Sequence, residues 1–106
     1  MFERTFVSLV PGVVIEDWAA DRKAATRLGR YRLGKKAIYR PEGDYLPYSA
    51  ITSLTQDKGF VHVTGCCAGG VMVDRVVVRV GEKPYLFEFD KKKDADFAAE
   101  QMMQNR

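Results

Sequence analysis

The hydrophobic period of this chain changes at Gly29 from about 3.6 residues to 2 and does not change back until residue 94. Some sixty consecutive residues therefore read as short extended segments punctuated by turn residues, and a helical fold is excluded. Arg30-Tyr31-Arg32-Leu33 alternates polar with apolar, Gly34-Lys35 turns the chain, and 36–40 runs back as a second strand. Pro41-Glu42-Gly43-Asp44 is a turn. In 45–48, Pro47 donates no ladder bond, which confines that strand to an edge or a strand start. Residues 50–55 continue extended, with Ile51 and Leu54 toward the core. Asp57-Lys58-Gly59 predicts a further turn and 60–64 a strand. The glycine-rich stretch 65–70 predicts a hairpin loop leading to the valine-rich strand 71–80. In 84–90, Tyr85, Phe87 and Phe89 alternate against Leu86 and Glu88.

Two helices flank this region. After a short extended segment at 5–10 and the Pro11-Gly12 turn, a helix is predicted over 17–28. Asp17 is its N-cap, Arg22, Lys23 and Arg27 lie toward its C-terminal end, and Gly29 is its left-handed terminator. Trp18, Ala24, Ala25 and Leu28 share one face with Asp21 among them, a surface suited to a sheet or to a second copy of the chain. The second helix is predicted from Asp94 to about residue 104, capped by Asp94 or Asp90, with Ala95, Ala98, Ala99, Met102 and Met103 on one face and Phe97 opposite. The expected class is α+β, mainly β: about seven antiparallel strands in a strongly bent sheet, one open end plugged by the last helix. At 106 residues the chain makes one domain, 1–106, without repeats or linkers.

Charge is uneven. Between Arg22 and Arg40 there are eight basic residues and no acidic one, within a net charge of +3. Arg30, Arg32, Lys35, Lys36 and Arg40 fall on the first hairpin and are candidates for binding an anion, as phosphate or as a membrane surface. A solvated basic face is the plainer account of the same residues. Lys91-Lys92-Lys93 precedes the last helix, where cations oppose the helix dipole, and is expected to be a solvated turn.

Chemistry-bearing motifs are sparse. The sole histidine, His62, and the two cysteines, Cys66 and Cys67, lie within six positions and are weak metal or thiol candidates. They lack the four-ligand spacing of a structural zinc site, so no metal and no cofactor is expected. Adjacent cysteines staple no loop, and the start of the chain lacks a charged segment followed by an apolar block. A reducing cytoplasm is the expected setting. The glycines of 65–70 precede no helix, which removes the phosphate-cradle reading. No nucleophile, base and orienter assemble around one histidine, so an enzyme is not expected.

Lys36-Ala37-Ile38-Tyr39-Arg40, a glycine-containing turn, then Tyr45-Leu46-Pro47-Tyr48-Ser49-Ala50-Ile51 resembles the early strands of bacterial pleckstrin-homology-like (PH-like) domains. The resemblance covers roughly residues 30–104. It implies a seven-strand roll with a C-terminal capping helix, here with an extra N-terminal helix, serving as a binding or assembly scaffold without catalytic residues. The expectation is thus a non-catalytic interaction domain, self-associating or binding a protein partner, with Phe97 and Trp18 as interface candidates. The alternative is a peripheral binder of anionic membrane or phosphate-bearing ligands through the basic hairpin. Nucleic acid is not an expected partner.

Overall fold

In a computed structural model, which describes residues 5–63 and 69–106, the chain forms two β-sheets and two helices. Sheet A has the order β1-β5-β4-β3-β2, and sheet B is the meander β6-β7-β8. The strands of sheet A are β1 (Val7–Ser8), β2 (Thr26–Leu28), β3 (Tyr31–Leu33), β4 (Ala37–Arg40) and β5 (Asp44–Pro47). Those of sheet B are β6 (Ser53–Val63), β7 (Gly69–Val80) and β8 (Lys83–Phe89). Helix α1 (Trp18–Lys23) lies between β1 and β2, a 3₁₀ turn (Tyr48–Ala50) links the sheets, and α2 (Lys92–Gln104) closes the chain. The mainly β, α+β class and the C-terminal helix agree with the sequence reading.

The main core lies between the inner faces of the sheets and α2. Tyr31, Leu33, Ile38 and Leu46 from sheet A meet Val76, Val78, Phe87 and Phe89 from sheet B, with Ala95, Ala98, Ala99 and Met102 of α2 closing the end. The alternation read in 84–90 holds, since Phe87 and Phe89 are buried and Leu86 and Glu88 are exposed. The alanines of α2 let the helix sit close to the sheet, which larger side chains would prevent. Pro47 ends β5 opposite Ala37, and β1 pairs only with Asp44 and Tyr45, so no ladder bond is asked of the proline nitrogen.

Four local expectations are corrected. The helix over 17–28 is real only for Trp18–Lys23; Thr26–Leu28 instead pair antiparallel with β3. Gly29 does adopt a left-handed conformation (φ 59°), but as the hairpin turn of β2 and β3 rather than a helix terminator. Neither Asp17 nor Asp94 caps by side chain; α1 has no side-chain cap bond, and α2 begins after Lys91. The turn at Asp57-Lys58-Gly59 is also absent, because β6 runs unbroken past it. Asp57 instead receives a hydrogen bond from Arg75 Nε at 2.7 Å on the paired strand. Gly59 leaves room for that arginine: a Cβ there would sit 2.6 Å from Arg75 Cδ.

Sheet A is covered on its outer face too. Phe6, Ala37, Tyr39 and Tyr45 form a second buried cluster, with Ile15 and Trp18 packed against it. Asp21 holds this layer in place. Its carboxylate accepts the backbone N–H groups of Lys35 (2.9 Å) and Lys36 (3.2 Å) and the hydroxyl of Tyr39 (2.7 Å). Gly34 leaves the space for it, since a Cβ there would collide with the Asp21 carboxylate. All five tyrosines use their hydroxyls as fasteners. Tyr45 accepts from Ile15 N–H, Tyr31 accepts from Glu88 N–H, Tyr48 donates to the Gly34 carbonyl, and Tyr85 donates to the Leu9 carbonyl.

Asp21→Ala is expected to cost about 2 kcal/mol, because it strands the Tyr39 hydroxyl and two turn amides. Gly34→Ala should cost a similar amount by evicting the same carboxylate. Urea denaturation of the double variant should show strong non-additivity, whereas additive losses would mean that the two residues do not act on one contact.

Burial first, and then the Asp21 carboxylate, push the phenol pKa values of Tyr39 and Tyr48 far above their ordinary 10.0. The raised folded-state values contribute stability that is whole below pH 10 and is lost as pH rises beyond it. Unfolding free energy measured from pH 9 upward should fall above pH 10, with a shallower fall in Tyr48→Phe. An equal slope in the variant would remove Tyr48 from the account.

Candidate functional site

The sequence-predicted basic hairpin does not form one cationic patch. The turn after β2 and the turn after β3 lie at opposite ends of short strands, roughly 10 Å apart at the usual rise per residue. Lys35 and Lys36 therefore sit away from Arg30 and Arg40. Lys36 Nζ pairs with Asp17 at 2.9 Å, which holds that carboxyl below its ordinary value. Arg30 pairs with Glu42 at 2.6 Å. Arg40 donates to Asp44 through Nη2 at 2.6 Å, and this bond raises the guanidinium pKa further. Of the five predicted residues, three thus already have carboxylate partners.

What the fold brings together is a different set. Arg27 on β2 stands directly opposite Arg32 on β3, and Arg32 stands opposite Tyr39 on β4. Like charges placed across a ladder repel. Among the described residues, no carboxylate lies within ion-pair distance of either arginine. The two flank a hollow of about 180 Å³ whose wall also includes Arg22, Arg30 and Arg40. Arg30 and Arg40 are paired with Glu42 and Asp44, which leaves Arg27 and Arg32 as guanidinium groups of this wall with no ion-pair partner among the described residues. The net positive field is the chemistry of an anion site, and arginine's planar fork suits phosphate oxygens.

Beside this hollow lies a second of about 500 Å³, lined by Phe6, Trp18, Ala19, Arg22, Lys23, Arg32 and Pro41. Arg22, Arg32 and Pro41 line both, so the two are neighbours, the two parts of a trough along the edge of α1. Its second half sets an aromatic pair among the cations Arg22, Lys23 and Arg32: the Phe6 and Trp18 rings lie 5.3 Å apart at 37°, and the Arg22 guanidinium stands 4.5 Å from the Phe6 centroid. By contrast, in the hollow near the start of α2, Arg75 is matched to Asp57.

Sequence reasoning missed Arg22 and Arg27 as site residues because it placed both on one helix. The available signal was the polar-apolar alternation of Thr26-Arg27-Leu28 before Gly29, which mirrors Tyr31-Arg32-Leu33 after it. Of the interface candidates, Phe97 is 38% exposed on the outer side of α2, while Trp18 is half-buried against Phe6. His62 lies on β6 opposite Gly70, and Cys66 and Cys67 fall outside the described residues. Among the described residues, no group of three or more His, Cys, Asp or Glu is arranged to hold a metal ion. Among them, too, no helix is long and apolar enough to cross a membrane.

Comparison with protein-family models, curated proteins and solved structures finds no match for this chain.

Replacing Arg27 by Glu should turn the opposed pair into a cross-strand ion pair. A gain of up to about 1 kcal/mol in unfolding free energy at low salt is expected. Unchanged or reduced stability would show that the Arg27–Arg32 opposition carries no strain.

Proposed function

We propose that this chain is a non-catalytic binding domain of PH-like fold whose ligand carries a phosphate or comparable anionic group, held between Arg27 and Arg32. The fold part of the reading is supported by the order of elements. A four-strand meander, β2 to β5, is followed by a three-strand meander, β6 to β8, and a terminal helix against the open end. On this reading β2 is the first strand of the roll, and β1 with α1 is an addition that covers the outer face of sheet A. The functional part rests on one observation, the opposed arginine pair at a concave wall, with no carboxylate partner among the described residues. Natural sheets avoid opposed like charges unless something offsets them, and a bound anion does so. A reducing, cytoplasmic setting belongs to the same proposal.

Calorimetric titration with pyrophosphate should show saturable binding that weakens as salt is raised. Arg27→Gln and Arg32→Gln should each reduce affinity about tenfold, as expected for loss of a charge-assisted hydrogen bond. Lys35→Glu with Lys36→Glu should leave it unchanged. The opposite pattern would return the site to the far end of the hairpin. Absence of binding to pyrophosphate and to phosphatidylserine vesicles alike would end the anion reading.

A second reading, a domain that binds a protein partner or a second copy, is favoured by the exposure of Phe97 among the polar residues of α2. Under it, light scattering should give a discrete multiple of 12.0 kDa that Phe97→Ser reduces to the monomer. A monomer in the unmodified protein would remove self-association.

A further inference from the structure

The trough has two chemically different halves, and the anion reading uses only one of them. The arginine half accounts for a charged group of the ligand. The Phe6–Trp18 half, which adjoins it at Arg22, Arg32 and Pro41, adds two aromatic rings to the cations Arg22, Lys23 and Arg32. Building on the proposed anion site, we infer that the ligand is a soluble phosphate ester with a planar aromatic body, the chemistry of a nucleotide. Its phosphates lie between Arg27 and Arg32, and its ring lies along Trp18.

Several observations converge on this ligand. At about 500 Å³, the aromatic half falls within the usual size of small-molecule sites. Trp18 is fixed in place by its packing on Phe6 and by the buried cluster beneath it. A ring held in this way stacks a ligand without first losing much side-chain freedom. Trp18 stands on α1 together with Arg22 and Lys23, whereas Arg27 and Arg32 stand on the β2–β3 hairpin. A ligand therefore needs both a flat apolar part and an anionic part joined at short range. Inorganic phosphate satisfies one half only. A lipid headgroup would bring flexible acyl chains to a shelf built of rings, and the concave wall favours a ligand that enters whole over a flat surface pressed against it.

Trp18 is the chain's sole tryptophan, so its fluorescence reports this site without interference. Titration with each of ADP, GDP, CDP and UDP should quench it saturably for at least one nucleotide. Calorimetry should then show that nucleotide binding about tenfold more tightly than pyrophosphate, the gain expected from one base stacked on an aromatic ring. Trp18→Leu should bring the nucleotide's affinity down to that of pyrophosphate while leaving pyrophosphate itself unchanged. If pyrophosphate binds and no nucleotide binds more tightly or quenches, the aromatic half of the inference is wrong and the anion site stands. If neither binds, both readings fall. Phosphatidylserine vesicles that bind without competition from any nucleotide would overturn the soluble ligand in favour of a membrane. Should Trp18→Leu not fold, the quenching and affinity comparison in the unmodified protein decides alone.

Discussion

The Asp21 carboxylate organises the side of the molecule on which the site lies. It accepts two backbone amides of the β3–β4 turn and the Tyr39 hydroxyl, which fastens α1 to the outer face of sheet A. A six-residue helix has no stability of its own, so α1 exists because of what it packs against. With the helix docked, Trp18 rests on Phe6, Arg22 is carried to the rim of the β2–β3 hairpin, and the outer face of Tyr39 and Tyr45 is buried. Without it the trough would lose one wall, and the arginines would stand on an open sheet surface where water screens them.

A division of labour follows. The inner faces of the two sheets and α2 form an apolar core of ordinary kind, while hydroxyl fasteners on the five tyrosines tie loops and edges to it. Each fastener joins segments distant in sequence: Tyr85 reaches Leu9, and Tyr31 reaches Glu88. For a chain this short, with a modest core, such bonds set where the covering segments lie as much as they add stability. The site is built on that covering layer. The core itself supplies no charged group to it.

Much of the fold was legible because periodicity reports burial directly. The hairpin around Gly34, the turn at 41–43, the valine-rich β7 and the inward set Phe87 and Phe89 all follow from alternation and turn chemistry. The failures occurred where one residue type served two structural purposes. Ala24, Ala25 and Leu28 fit a helical face, yet Gly29 with a positive φ also makes a tight hairpin, and cross-strand pairing with β3 took Thr26–Leu28 away from the helix. Asp57-Lys58-Gly59 has the composition of a turn, but Asp57 answers Arg75 across the sheet and Gly59 clears a path for that arginine's side chain. Only a long-range partner distinguishes these cases. The site suffered for the same reason: Arg27 assigned to a helix cannot be seen to face Arg32, and Asp21 on an apolar helix face gives no hint of the turn amides it binds.

The central claim is that Arg27 and Arg32, rather than the lysines at the other end of the hairpin, receive an anion. Nitrogen-15 spectra of the arginine side chains, followed as pyrophosphate is added, test it most directly. The Nε–Hε signals of Arg27 and Arg32 should move together and saturate, with the Lys35 and Lys36 backbone amides undisturbed. Movement confined to Lys35 and Lys36, or none at Arg27 and Arg32 at saturating pyrophosphate, would contradict it.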